Sequence, residues 1–512
     1  MTDTTAMVGL RTIARDSVLG WLGALGVIVL NFATKMLLAR ALTSAELGIL
    51  LTGQTMVGLA LAVAQLSLPE AVVRFVGLYA PSTVAKAKAT LLNALKLSTL
   101  VSLLMAGGLG LGAGFIANRI YQLPVLAGVL ILLAVAMPFT SVADVLAATY
   151  RGLKQLWVKV ICVDLTRALG VVLMLVVLMS QGANTLPAVA GSYVLATILS
   201  AFLTFALFRS GSLWRVSASH IPTGELLRYS LPLLAAGLLA GPIVNTGLPL
   251  LLGGLGSAQA VAYYSLAVSL QLFVYLPIAA LEQAALPIWS GQIGVGTISG
   301  LRASYAFFTR WGYVVASVVF ALLFFNARTV LVILYGPEYA VAALAIQALG
   351  AMTLFGAAVG PNEGMLRALG DTRWIFFSRL VAGVASLGAA ILLIPQWGLM
   401  GAVMAFIVSG LLINGLYAAG LFWQHAIHPL DGPYLKTLAA SFIAFLSIGF
   451  ARPYLRGGFA GIGMSTALYA ILLVVLLHAL RAFTAQDARA LNGVYQQIRG
   501  FFSKKGGPDA VR

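Results

Sequence analysis

Several ionisable side chains sit inside apolar runs, where a lone charge is costly: Lys35, Lys96, Arg167, Arg310 and Arg379 among the cations, Asp144, Asp164, Glu282 and Glu363 among the acids. A lysine or arginine at the centre of a bilayer costs about 2.5 to 3.5 kcal/mol on insertion scales. Each therefore needs a reason. Lys35 lies one turn beyond Asn31 in VIVLNFATKMLLARALTSAELG (27–48) and has no acid three or four residues away. In the second half of the chain Asn31 maps to Asn245, but Lys35 maps to Pro249. A charge serving both halves would have been duplicated, so this one points to a ligand, with snorkelling to the membrane surface as the alternative. Glu282 ends a helical face running Gln271, Tyr275, Ile278, Glu282. An isolated carboxylate there can take up and release a proton or a sodium ion, unless it is an interfacial acid.

Other charges have local explanations. Asp164 with Arg167, three apart, and Glu363 with Arg367, four apart, can neutralise one another on their own helices. Asp164 and Glu363 otherwise stand with Glu282 as ion-coupling candidates. Lys96 is close enough to a helix end to snorkel, and for Arg310 and Arg379 snorkelling and cavity lining are both open. Cys162 is the single cysteine, which excludes an intramolecular disulfide and a cysteine-based metal site. HAIHPLD (425–431) is broken by Pro429 and reads as a loop, not a metal site. GGLGLGAG (107–114) has no preceding strand and reads as close helix packing. No cofactor and no metal is expected.

The elements that carry these residues follow from composition. Of 512 residues 61% are hydrophobic and 9% charged, and mean hydropathy is +1.00, which describes an all-α polytopic membrane protein. A spanning helix needs about 20 mostly apolar residues. About fourteen such stretches occur, near 18–40, 48–68, 92–114, 125–148, 158–180, 186–208, 230–252, 261–285, 305–325, 341–365, 375–394, 399–422, 435–451 and 460–480. No stretch alternates as a membrane β-strand would. Lysines and arginines concentrate before the first span, in even-numbered loops and after the last, which places both termini in the cytoplasm. The net charge of +17 largely reflects that skew together with attraction to anionic lipid, so no nucleic-acid partner is implied. The hydrophilic first 17 residues fit an uncleaved first span.

An internal repeat organises the spans. LTSAE after the first span matches LGSAQ after the seventh, and YRGLKQLW (150–157) returns as LRALGDTRW (366–374). The expected organisation is a first six-helix lobe at 1–208, a cytoplasmic linker at 209–229, and a second lobe at 230–424. Two further spans occupy 425–480, and a cytoplasmic amphipathic tail occupies 481–512. Two lobes related by an axis along the membrane normal can rock around a central site, with Asn31, Asn245, Gln271 and Tyr275 as its polar lining. The seventh span carries Pro232, Pro242 and Pro249 and is expected to be bent or broken.

ARALTSAELG (39–48), VILYGPEYAVA (332–342), LRALGDTR (366–373) and LIPQWGLMGAVMAFIVS (393–409) together resemble the polysaccharide transporter branch of the multidrug/oligosaccharidyl-lipid/polysaccharide (MOP) exporter superfamily, the Wzx-type flippases related to the lipid II flippase. Thr43 and Ser44 stand where that family has Gly-Pro. The resemblance implies a multi-pass protein of the bacterial inner membrane, not an enzyme. Its substrate would be an undecaprenyl-diphosphate-linked oligosaccharide of polysaccharide, lipopolysaccharide or O-antigen synthesis. A diphosphate would meet Lys35, with Arg310 and Arg379. Partners would be membrane lipid, H+ or Na+, and polymerase or assembly proteins. A cation-coupled multidrug antiporter is the alternative within the superfamily; a membrane glycosyltransferase or polymerase is the alternative outside it.

Overall fold

Helices are the natural state of such a chain, because a backbone in lipid must satisfy its own hydrogen bonds. The computed structural model of the protein describes residues 23, 25–217, 219, 222–240, 246–296, 298–454, 458–483 and 487. Asn245 and the expected amphipathic tail face of 491–502 lie outside the described residues.

The described helices are α1 (25–41), α2 (Ser44–Ala64), α3 (Leu68–Tyr79), α4 (Val84–Ile120), α5 (Val125–Gly152), α6 (Leu156–Ser180) and α7 (Leu186–Ser210). They continue with α8 (Thr223–Ala240), α9 (Gly247–Leu255), α10 (Ala258–Gly294), α11 (Ile298–Leu334) and α12 (Pro337–Val359). The last are α13 (Asn362–Leu369), α14 (Thr372–Trp397), α15 (Leu399–His425), α16 (Gly432–Tyr454) and α17 (Gly458–Ala479). Among the described residues there is no strand, and 12 helices are long and apolar enough to cross a membrane. They coincide with expected spans two to six and eight to fourteen. Spans one and seven each include residues outside the described set.

Local chemistry explains where the helices begin and bend. Thr43 and Ser44 open α2 through a capping box: the Glu46 amide donates to Thr43 Oγ1 at 3.3 Å and the Thr43 amide donates to Glu46 Oε2 at 3.0 Å. That start is four residues earlier than hydropathy alone places it. The polar break after α2 holds a twelve-residue helix, α3, which buries Leu68, Ala71, Val72 and Val76. In α6, residues Lys159–Leu165 form a π turn. In α11 the backbone leaves helical geometry at Asn326, whose Nδ2 donates to Leu322 O at 3.0 Å and to Ser465 Oγ at 3.0 Å.

Two compact units emerge. Unit 1 comprises Met1–Ser269, Leu331–Ala345 and Arg379–Leu412; unit 2 comprises Leu270–Val330, Ile346–Ser378 and Ile413–Arg512. The division cuts α10, α11, α12, α14 and α15 across their length. Unit 1 therefore joins α1 to α9 with the ends of later helices that carry the odd-numbered loops. In unit 1, α5 packs on α3, α4 and α7, and the apolar core includes Leu68, Val72, Leu91, Leu146 and Phe208. In unit 2 one core gathers Trp289, Tyr305, Met365, Leu366 and Leu421, and another sets α16 and α17 against α11.

Candidate functional site

Lys35 projects from α1 in unit 1 and is half-buried, with Asn31 exposed one turn away. Its Nζ donates to Ser269 Oγ, and that hydroxyl donates onward to Ser265 O at 2.7 Å. An ammonium carries three donors, and among the described residues no carboxylate reaches this one. Among the described residues this ammonium therefore has a neutral partner and no counter-charge. Arg379, half-buried on α14, belongs to the same unit.

The surroundings of α1 are fixed by backbone contacts. Arg40, five residues beyond Lys35, donates from Nε to Leu334 O at 3.2 Å and from Nη2 to Ile333 O at 2.6 Å. It thereby satisfies carbonyls that the end of α11 leaves open. A Cβ on Gly48 would come within 1.7 Å of Ala258 O, so α2 and α10 meet backbone to backbone there. Tyr121 OH donates to Leu250 O at 3.1 Å, and Gly253 fits against Thr52 and Tyr121. The helices of expected spans one and two are thus closely joined to those of seven, eight and nine at the odd-loop end.

Arg310 is different. Only 6% exposed, it forms an ion pair with Asp487, itself 1% exposed, and donates from Nη1 to Ala482 O at 3.2 Å. Trp311 Nε1 donates to the same Asp487 oxygen at 2.8 Å. The charge expected to meet a diphosphate is already balanced by a carboxylate that follows the last span. Gln271 Nε2 donates to Thr353 Oγ1, and Tyr275 is exposed.

The acids also rearrange. Asp164 does not pair with Arg167. The π turn carries one residue more than an α turn, which brings Lys159 and Asp164 together at 3.0 Å and leaves Arg167 to Asp144 on α5 at 3.3 Å. Gln65 Nε2 donates to the other Asp144 oxygen at 2.8 Å. Glu363 pairs with Arg367 four residues on, as its spacing implies. It is not inside a span, however: α12 ends at Val359, Gly360 takes φ +107°, and Glu363 falls in the first turn of α13. Glu282 lies on Gly364, where a Cβ would stand 2.6 Å from its Cγ, and within electrostatic reach of Glu363 and Arg367. Tyr417 OH donates to Glu363 Oε2 at 3.4 Å. Tyr305 OH is set between Val359 O, at 3.0 Å, and Asn362 Oδ1. Asn362 Nδ2 is buried with no partner among the described residues.

Ser269, Asp487, Asn362 and Tyr305 were not singled out from sequence. Among the described residues no group of three or more His, Cys, Asp or Glu could hold a metal ion. His425 pairs with Asp371 at 2.6 Å.

The fold resembles that of the lipid II flippase MurJ in an inward closed conformation, with a TM-score of 0.68 at 13% identity over 90% of this chain and 98% of that one. An inward-facing multidrug resistance MATE family transporter of the MOP superfamily gives 0.64 at 12% identity over 78% and 94%. A MOP superfamily transporter from Pyrococcus furiosus, described as having a binding pocket of reverse polarity, gives 0.54 at 14% identity over 81% and 95%. No curated protein is a detectable sequence relative. The model of the polysaccharide biosynthesis protein family matches residues 16–291, more than half of the chain. With that match, over more than half of its length, the chain belongs to the polysaccharide biosynthesis protein family.

Proposed function

We propose that the protein is a flippase that carries an undecaprenyl-diphosphate-linked oligosaccharide from the cytoplasmic to the outer leaflet of the bacterial inner membrane, in the service of polysaccharide or lipopolysaccharide synthesis. The observation that carries the proposal is Lys35: a half-buried ammonium with, among the described residues, one hydrogen bond, to Ser269, and no carboxylate. A diphosphate brings roughly two negative charges, and moving them past hydrocarbon without partners is prohibitive by desolvation. Cations on a wet wall replace the lost water. Lys35, with Arg379 as second cation, takes that part. Arg310 is set aside because Asp487 already balances it.

In this reading both termini are cytoplasmic, and residues 1–208 and 230–424 act as the two rocking lobes around the substrate. The contacts of Arg40, Gly48 and Tyr121 close the outer side. The polyprenyl tail stays in lipid. An interior-negative potential favours export by about 2.3 kcal/mol per charge per 100 mV, so ion coupling serves to reset the empty carrier. Glu282 and Glu363, which share Arg367, are the groups for that proton or sodium step. Reconstituted protein given lipid-linked oligosaccharide tests the assignment. If Lys35→Ala flips it as fast as wild type, Lys35 has no such role. Loss of drug tolerance in a deletion strain with glycan intact would favour the multidrug antiporter instead.

A further inference from the structure

At the even-loop end of unit 2 lies a cavity of about 410 Å³ that none of the transport roles uses. Helix ends build it: the close of α10 contributes Gln292, the start of α11 contributes Leu301 and Arg302, the end of α13 contributes Leu369, and the close of α15 with the residues after it adds Trp423, His425 and Ile427. Its floor is apolar and buried, with Leu301 and Ile427 almost inaccessible. Its rim is polar. Arg302 is exposed, and its one hydrogen bond among the described residues is a long one, from Nη2 to His425 O at 3.4 Å, so most of the five guanidinium donors have no acceptor among those residues. The acids nearby are already engaged: Asp371 holds His425 at 2.6 Å, and Asp431 accepts from the Tyr434 amide at 2.7 Å as the N-cap of α16. Arg373 and Lys436 are exposed in neighbouring segments, so the local field is positive. Trp423 is 74% exposed and Phe422 is exposed beside it. Aromatic side chains placed so are characteristic of the level of lipid headgroups.

An apolar floor, a forked cation at the rim and an indole at the edge match one amphiphile. We propose that this cavity binds the phosphodiester headgroup of an anionic phospholipid, with Arg302 donating to the phosphate and the start of the acyl region resting on Leu301 and Ile427. Arginine suits this task because its planar fork meets two phosphate oxygens at once. One phosphate fits one arginine, which favours a resident phospholipid over a diphosphate-linked sugar carrier. A bound lipid there would tie the α10–α11 and α15–α16 loops to the leaflet.

Native mass spectrometry of the full chain in detergent, titrated with phosphatidylglycerol or phosphatidylcholine, tests this. Wild type should hold one phosphatidylglycerol that Arg302→Gln binds about tenfold more weakly, with Arg302→Lys between them. Arg215→Gln, at an exposed arginine of unit 1, should bind as wild type does and so report on general charge loss. Arg302 is exposed, so these variants fold. Equal retention by Arg302→Gln, or equal affinity for phosphatidylcholine in wild type, would overturn the proposal. So would displacement of phosphatidylglycerol by a small excess of undecaprenyl diphosphate with the same dependence on Arg302, which would assign the cavity to the transported lipid.

Discussion

Lys35 in unit 1 and Arg310 in unit 2 are equals in the sequence: each is a cation in an apolar run with no acid three or four residues away. In the structure they part. Arg310 meets a carboxylate 177 residues on, both partners buried, and Trp311 donates to the same oxygen. Among the described residues Lys35 meets only a serine hydroxyl. A buried charge with a buried counter-charge belongs to the scaffold, since removing either leaves the other stranded in low dielectric. A charge left with a neutral partner keeps its capacity to attract an anion. Helical spacing cannot separate the two cases, because the deciding partner is distant in the chain.

The sharpest way to break this contrast is to remove Asp487. Asp487→Ala strands the Arg310 guanidinium and should lower stability by about 3 to 5 kcal/mol, the usual cost of breaking a buried pair. Chemical unfolding in detergent measures it. If Arg310→Met with Asp487→Leu recovers most of the loss, the pair is structural; if Asp487→Ala costs under about 1 kcal/mol, the scaffold assignment fails. Gly48→Ala comes next on the unit 1 side. The new methyl would meet the Ala258 carbonyl at 1.7 Å, and overpacking of this kind costs about 1 to 3 kcal/mol. Because the contact lies where Arg40 caps α11, cysteine labelling of odd-loop residues should rise; unchanged labelling would mean the junction yields without opening. Lys35→Ala should leave unfolding almost unchanged and slow flipping at least about tenfold, equivalent to about 1.4 kcal/mol of lost contact. Lys35→Arg should keep much of the rate.

Class and span positions were legible because apolar length is a property of the local sequence. The pairing of Glu363 with Arg367 was legible for the same reason, being a four-residue relation, whereas the capped start of α2 lay four residues before the expected span. The break at Gly360 was harder, since an apolar run continues through it while the backbone turns at φ +107°. It moved Glu363 out of the membrane span where hydropathy had put it. Of the candidate site, the identity of Lys35 could be read but its partner could not: Ser269 is 234 residues away and chemically ordinary. The Asp487 carboxylate and the orphan Asn362 amide are likewise made significant only by folding.

The smallest effect is expected where spacing misled most. Asp164 and Arg167 have the separation of a helical ion pair, yet the π turn over Lys159–Leu165 gives Asp164 to Lys159 instead. Thr166 Oγ1 donates to Ile161 O, five residues back, at 2.8 Å, which is the same wide turn reported by a second contact. The Lys159 and Asp164 side chains are 41% and 31% exposed. An exposed pair of this kind contributes about 0.2 to 1 kcal/mol. A double-mutant cycle of Lys159→Gln and Asp164→Asn should therefore return a coupling in that range, falling with added salt. The same cycle on Asp164 and Arg167 should return close to zero. A larger coupling for Asp164 with Arg167 than with Lys159 would mean that α6 keeps ordinary α-helical turns, and would restore the neutral pair read from the sequence.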